Sequence, residues 1–345
     1  MEKSKKEKKG FVGWFQKNYE ENNLFSVLFA LLVMVLIQSV VMWNNAGSFV
    51  GMFPKMQNAW LNILRNNAYA GVIALGMTFV IISGGIDLSV GSTLCALGAI
   101  LLYLIEPNFG FLLKFGLTGT PAYIIAILIL LCIGYLLGNI NGSLIAYGKL
   151  PPFIATLGTM KIYRSVTQQM TKRFNPTVPA GFKAIASTKI NGQVILPIIY
   201  WISMVIIMQI IFSKTAFGRQ TVSIGSNEKA AKLSGINVNI TKRKIYSLCG
   251  VMCAVSAIIY IARIGSMDFA NAGNGYEMDA IAAVIVGGTS MAGGRGSVIG
   301  TFLGMMITGV MNNILNSVGV PTFLCEAVKG AIIIFAVLLQ RKEDA

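Results

Sequence analysis

The chain has no histidine among its 345 residues, and only 12% of them are charged. The first absence removes imidazole general bases, histidine haem ligands and histidine proton relays. It also leaves the five cysteines without the usual imidazole co-ligand for zinc. Cys95, Cys132, Cys249, Cys253 and Cys325 all fall in apolar stretches, where they read as small buried hydrophobes and not as a disulfide framework. No Gly-x-x-x-x-Gly-Lys-Ser/Thr phosphate loop occurs, so the chain does not bind ATP in that manner. The longest stretch between apolar segments, 213–244, is too short for a catalytic domain. The expectation is a protein that is not itself an enzyme, with no cofactor and no metal.

In place of charge the chain carries apolar residues, 55% of the total, whereas soluble domains average about 25% charged residues. Runs without a single charge cover 24–42, 123–147, 194–212 and 245–262. Each is about long enough to cross roughly 30 Å of hydrocarbon. The predicted fold class is an all-α polytopic membrane protein of about ten transmembrane helices with broken or re-entrant segments. Spans are expected near 24–42, 68–83, 91–105, 122–147, 152–170, 194–212, 245–263, 278–292, 297–317 and 322–340. They form a membrane domain 24–340 between a basic tail 1–23 and a short tail 341–345. The run at residue 24 is too long for a signal-peptide core and lacks a small-residue cleavage site after it, so it is expected to remain as a span.

The net charge of +15 invites a nucleic-acid reading, but the basic residues lie between apolar segments, where they orient a membrane protein instead. With the N-terminus inside, seventeen of the 28 lysines and arginines fall on the cytoplasmic side: the two tails, Lys149, the loop 213–244 and Arg295. Seven fall outside (Lys55, Arg65, Lys114, Lys172, Arg173, Lys183, Lys189), and Lys161, Arg164, Arg263 and Lys329 fall within spans. The expectation is a plasma-membrane protein with both termini cytoplasmic, partnered by the bilayer and not by nucleic acid. Glycines recur every fourth residue at Gly134, Gly138, Gly142 and at Gly296, Gly300, Gly304, ridges on which helix backbones approach closely in lipid.

One stretch interrupts this apolar pattern. After the apolar run to Ile82 come Ser83, Gly84, Gly85, Ile86, Asp87, Leu88 and Ser89, and a second apolar run starts at Val90. Irregular backbone at membrane depth is tolerated only where protein buries it or water reaches it, as along a transport route. Gly84, Gly85, Asp87, Ser89, Asn139 and Asn141 are therefore candidates for a translocation path. Asp87 has an equally good structural role, capping the next half-helix or fixing the broken loop. Val284-Ile285-Val286-Gly287-Gly288 before Gly296-Ser297 echoes Val80-Ile81-Ile82-Ser83-Gly84-Gly85 before Gly91-Ser92. Such internal symmetry is common in transporters.

A charge at a helix centre costs roughly 2.5–3.5 kcal/mol on insertion scales, so such groups face protein, water or a partner charge. Glu326 and Lys329, three residues apart, can neutralise each other. Glu277 and Asp279 suit the start of a helix, and Arg263 is placed to snorkel at the outer interface. In the loop 213–244, Ser226 or Asn227 can cap a helix of about two turns that Gly235 would end. Its Ala230 and Ala231 permit close contact, so the segment reads as a docking knob or a solvated loop helix.

Four segments resemble a known family. They are Gly84-Gly85-Ile86-Asp87-Leu88-Ser89-Val90-Gly91-Ser92; Asn141-Gly142-Ser143 with 152–159 and Tyr163-Arg164; Phe217-Gly218-Arg219 through Gly235; and 276–288 with Gly293-Gly294 and Gly296-Ser297. In that order they resemble the membrane-spanning permease subunit of bacterial ATP-binding-cassette importers for monosaccharides, the ribose, galactose and xylose group. Glu228, Ala230, Ala231 and Gly235 resemble the signature such permeases present to their ATPase, with one extra residue between glutamate and alanines. The resemblance implies a separate cytoplasmic ATPase, which binds the ATP, an extracytoplasmic sugar-binding protein and a second permease copy or close homologue. It also implies that the first motif departs from the galactoside type toward the ribose type. Competing expectations are a related permease for branched-chain amino acids, nucleosides or a furanose signal, and an ion-coupled secondary transporter.

Overall fold

The structure, a computed structural model, describes residues 23–172, 176–321, 324–332 and 334. Asn23 opens the first helix; the rest of the two expected tails and much of the expected span 322–340 lie outside the described residues, although 324–332 is helical. The helices are α1 (Asn23–Ala46), α2 (Phe49–Ile82), α3 (Val90–Ile105), α4 (Gly119–Ala146), α5 (Pro152–Thr171) and α6 (Ala180–Ser187). They continue as α7 (Leu196–Lys214), α8 (Ala216–Ser226), α9 (Glu228–Leu233), α10 (Val238–Ile264), α11 (Tyr276–Val286) and α12 (Val298–Ser317). A small hairpin, β1 (Lys189–Ile190) with β2 (Gln193–Val194), decorates the loop before α7.

Among the described residues, five helices are long and apolar enough to cross a membrane on their own: α1, α4, α7, α10 and α12. The apolar α3 is shorter. The distribution of side chains is that of a protein in lipid. Leu32, Leu36 and Val40 on α1, Leu128 and Leu136 on α4, and Ile202, Ile206 and Ile210 on α7 are all exposed. Water would oppose so much apolar surface, whereas hydrocarbon accepts it.

Three expected spans differ in the structure. The outer loop assigned to Lys55 and Arg65 is helical, because α2 runs 34 residues without a break. The Ser48 hydroxyl accepts from the Gly51 amide at its start, and about 51 Å of helix exceeds the hydrocarbon thickness, so the part that carries Lys55 and Arg65 need not enter it. The span expected over 278–292 ends at Val286, where Gly287 and then Gly288, at φ +84°, turn the chain away. The helix α5 has the length of a span, but Lys161, Arg164, Gln168 and Gln169 make it too polar to count as one by composition.

The central element is α10, which packs on α4, α2, α3 and α6. The first glycine ridge explains its closest contact. A side chain at Gly138 would strike the Tyr246 carbonyl, one at Gly134 the Gly250 carbonyl, and one at Gly142 the backbone of Arg243. The second ridge works in the same way between α12 and α11, where Gly300 lies on Gly287 and Gly304 on the Ala283 carbonyl. Without a hydrophobic drive between helices in lipid, this close approach supplies the dispersion contact.

The connections segregate to two ends of the helix bundle. At one end the breaks 83–89 and 287–297 meet α8, and the 147–152 turn lies across a groove from α9 and the start of α10. At the other end, Glu106 accepts from Thr177 at 3.1 Å and Arg164 donates to the Ala272 carbonyl at 2.6 Å.

Candidate functional site

The two Gly-Gly breaks have the same hydrogen-bond pattern. Ser83, Gly84 and Gly85 donate to Phe79, Ile81 and Val80; Gly287, Gly288 and Thr289 donate to Ala283, Ile285 and Val284. Both endings are left-handed glycine caps, with Gly84 at φ +81° and Gly288 at φ +84°. The sequence echo is thus also a structural one. It orients two helix pairs, α2–α3 and α11–α12, which are joined one turn from the breaks by the 2.7 Å contact between the Thr78 and Thr301 hydroxyls.

Within the first break, Asp87 and Ser89 are buried beneath α4, as is Asn141 on that helix. Asp87 Oδ1 accepts from the Ser89 amide at 2.9 Å and from the Ser89 hydroxyl at 2.6 Å. Asn141 Nδ2 donates to Ser89 Oγ at 2.8 Å and approaches both Asp87 oxygens at 3.4 and 3.5 Å. The aspartate therefore ties the broken backbone to itself and to α4. Gly85 is buried against Tyr246, whose ring leaves no room for a side chain there, while Gly84 is exposed at the bundle end. Asn139 stands apart from this group, half-buried two residues before Asn141 and so on the other side of α4, and accepts from Ser143 at 3.2 Å. Thr156 on α5 donates to the Ile86 carbonyl at 3.3 Å, a link the sequence did not reveal.

The second break closes on the first. The Gly294 amide donates to the Ile82 carbonyl at 2.8 Å. Gly225, near the end of α8, lies against both groups; a side chain there would collide with the Ile82 carbonyl. A side chain on Gly293 would come within 3.1 Å of the Gly84 amide. Phe79 at the end of α2 stacks on Phe217 of α8, with ring centroids 5.8 Å apart. Three chain segments remote in sequence thus share one backbone junction, and glycines permit it.

From that junction α8 leads directly to α9. Asn227 caps α9 by accepting from the Ala230 amide at 2.9 Å. Gly235, at φ +82°, ends it, with Gly235 donating to Lys232 and Ile236 to Ala231. Ala231 faces inward, packed with Ile224 and Val238. Ala230 faces out, as does Glu228, whose carboxylate pairs with Lys242 at 2.6 Å. Leu233 is 89% exposed, an apolar side chain with no intramolecular role that the sequence alone did not single out. Beside α9 runs a groove of about 840 Å³ lined in part by Lys149, Pro151, Lys232 and Lys242.

Four of the other charged residues, Glu326, Lys329, Asp279 and Arg263, have structural partners. Lys329 bonds Glu326 at 2.8 Å, as their spacing predicts, and also Asp279 at 2.9 Å. Arg263 does not snorkel freely: it donates to Asn66 Oδ1 and lies over the Tyr69 ring. Tyr69 in turn stacks on Tyr276 at the start of α11.

Comparison with known proteins fits this arrangement. The family described as "Branched-chain amino acid transport system / permease component" matches residues 59–337. The ribose import permease of Bacillus subtilis is 44% identical over 289 residues, covering 83% of this chain and 85% of that protein. The galactose/methyl galactoside import permease of Escherichia coli is 34% identical over 339 residues, 96% of each chain. The xylose transport system permease of Escherichia coli is 32% identical, covering 95% of this chain and 93% of that one. No solved structure gives a significant match. The match extends through both Gly-Gly breaks and α9: the chain belongs to this family of multi-pass transport permease components.

Proposed function

We propose that the chain is the membrane subunit of an ATP-binding-cassette importer that carries a monosaccharide into the cell, with ribose the first candidate. The observation that carries the reading is the attachment of α9, a capped helix with exposed Leu233, to a junction holding both broken loops. That is the construction needed when the energy source is a separate protein. Ribose takes precedence because identity to the ribose import permease is 44%, against 34% and 32% for the galactoside and xylose permeases.

In this reading the α9 end faces the cytoplasm, both termini are cytoplasmic, and α2, α3, α5, α11 together with the break that follows it, and the expected span 322–340 make up the ten crossings. A cytoplasmic ATPase binds ATP and docks on Ala230, Leu233 and the groove beside them, with Glu228 and Gly235 fixing the shape of the knob. Ala231 anchors it from below. A solute-binding protein delivers sugar at the opposite end, and a second permease copy or close homologue encloses the path. The chain needs no cofactor of its own. The Asp87–Ser89–Asn141 cluster holds the broken loop in shape, so that displacement of α8 is felt by α3 and α4.

The test is reconstitution in liposomes. With its ATPase and binding protein the importer should accumulate ribose on ATP addition; the lone subunit should accumulate nothing. Accumulation that persists without ATP under an imposed proton or sodium gradient would replace this reading with an ion-coupled one. A partner binding protein that holds leucine and not a sugar would move the substrate class.

A further inference from the structure

We infer that the outward face of α5 forms a wall of the aqueous solute path. Gly158, Lys161, Ser165 and Gln168 are exposed and follow each other at three- and four-residue spacing, which sets them in one stripe along the helix. Lys161 stands at the middle of this 20-residue helix, and among the described residues no acidic side chain pairs with it. The contrast with the neighbouring surface decides the meaning. Exposed Leu36 on α1, Leu136 on α4 and Ile206 on α7 are apolar, as are Ile162, Val166 and Met170 beside the stripe, whereas the stripe itself carries an ammonium, a hydroxyl and an amide. Hydrocarbon rejects an unpaired ammonium at mid-helix, so this face borders water.

The opposite face of α5 joins it to both ends of the molecule. Thr156 donates to the Ile86 carbonyl in the first broken loop, and Tyr163 to the Leu137 carbonyl of α4. Arg164 donates to the Ala272 carbonyl of the 265–275 loop at the far end. A helix held in this way to the broken loop at one end and to the far loop at the other is placed to alter the path when the α8 junction moves. This rests on the transport reading above and adds to it a specific wall.

The experiment is cysteine substitution in the full chain, assembled with its partners, after the five native cysteines are replaced. Lys161→Cys and Ser165→Cys should react with a charged, membrane-impermeant thiol reagent at least tenfold faster than Leu136→Cys on the lipid-facing side of α4. Once modified, Ser165→Cys should lose at least tenfold in ribose uptake, while modification of Thr188→Cys in the outer loop should leave uptake unchanged. Reaction no faster than at Leu136→Cys overturns the inference. So does spontaneous cross-linking of Lys161→Cys between copies with no reagent access, which would make the face a dry interface. Rapid modification without loss of uptake also overturns it, because the face would then be wet but off the path. The labelling rates need no transported solute, so a failure of ribose uptake in the unmodified importer would count against the function and not against this wall.

Discussion

The amide of Gly294 donates to the carbonyl of Ile82, at 2.8 Å, and by this bond the second broken loop rests on the first. Gly225 fills the remaining space with no side chain. Its φ is not in the left-handed region, so its requirement for glycine is purely steric. Gly225→Ala should therefore push α8 off the junction and reduce ATP-driven uptake by at least tenfold, with the chain still inserted in the membrane. Wild-type uptake by this variant would show that the junction carries no motion.

Asp87→Ala should be more damaging than Asp87→Asn. The amide oxygen of asparagine can still accept from the Ser89 amide and hydroxyl, but its nitrogen would face the donor of Asn141. Alanine leaves two buried donors, the Ser89 amide and hydroxyl, without their acceptor, at roughly 1–3 kcal/mol for each group left unmade. Thermal unfolding in detergent should rank wild type above Asp87→Asn above Asp87→Ala, and sugar uptake should fall in the same order.

The two sides of α9 should respond differently. Ala231→Trp cannot fit between Ile224 and Val238 and should displace the helix. Leu233→Asp changes only an exposed side chain and should leave folding intact while weakening ATPase association, measurable by co-purification. Unchanged co-purification in Leu233→Asp would remove this residue from the docking surface.

Helix contact at Gly138 predicts a stability effect without a functional residue. Gly138→Leu would force α4 from the Tyr246 carbonyl on α10. Overpacking of this kind costs about 1–3 kcal/mol or more, so the melting temperature should fall, whereas Leu136→Ala on the lipid side should barely move it.

At the far end, Glu106 is a source of pH dependence. Burial raises its carboxyl, but the Phe109 and Asn108 amides and the Thr177 and Asn108 side chains bond it and hold it, on balance, below 4.5. A carboxyl depressed in the folded state stabilises fully above its unfolded pKa, and that contribution fades as pH falls through the lower folded value. Wild type should unfold at a higher temperature than Glu106→Gln at pH 7, and the difference should vanish as the pH is lowered past that value. A difference independent of pH would assign the effect to shape and not to charge.

The sequence by itself determined what depends on local chemistry. Apolar run length marked the helices, Asn227 and Gly235 bounded α9, and repeated glycines marked the ridges on which α4 meets α10. The double glycines located both breaks, because only glycine accepts the left-handed cap at Gly84 and Gly288 without strain. Only the tertiary structure decided which distant groups meet: Gly225 under Ile82 and Gly294, Thr156 on Ile86, Arg263 on Asn66, and Asp279 as the second acid on Lys329. It also decided that Ala231 points inward and Leu233 outward, and that the expected loop around Lys55 and Arg65 is helix. The reason is physical. Helix formation and its termination are set by a few neighbouring residues, whereas a contact between backbones depends on how whole helices pack, and a glycine's sequence neighbours do not reveal what will lie against it.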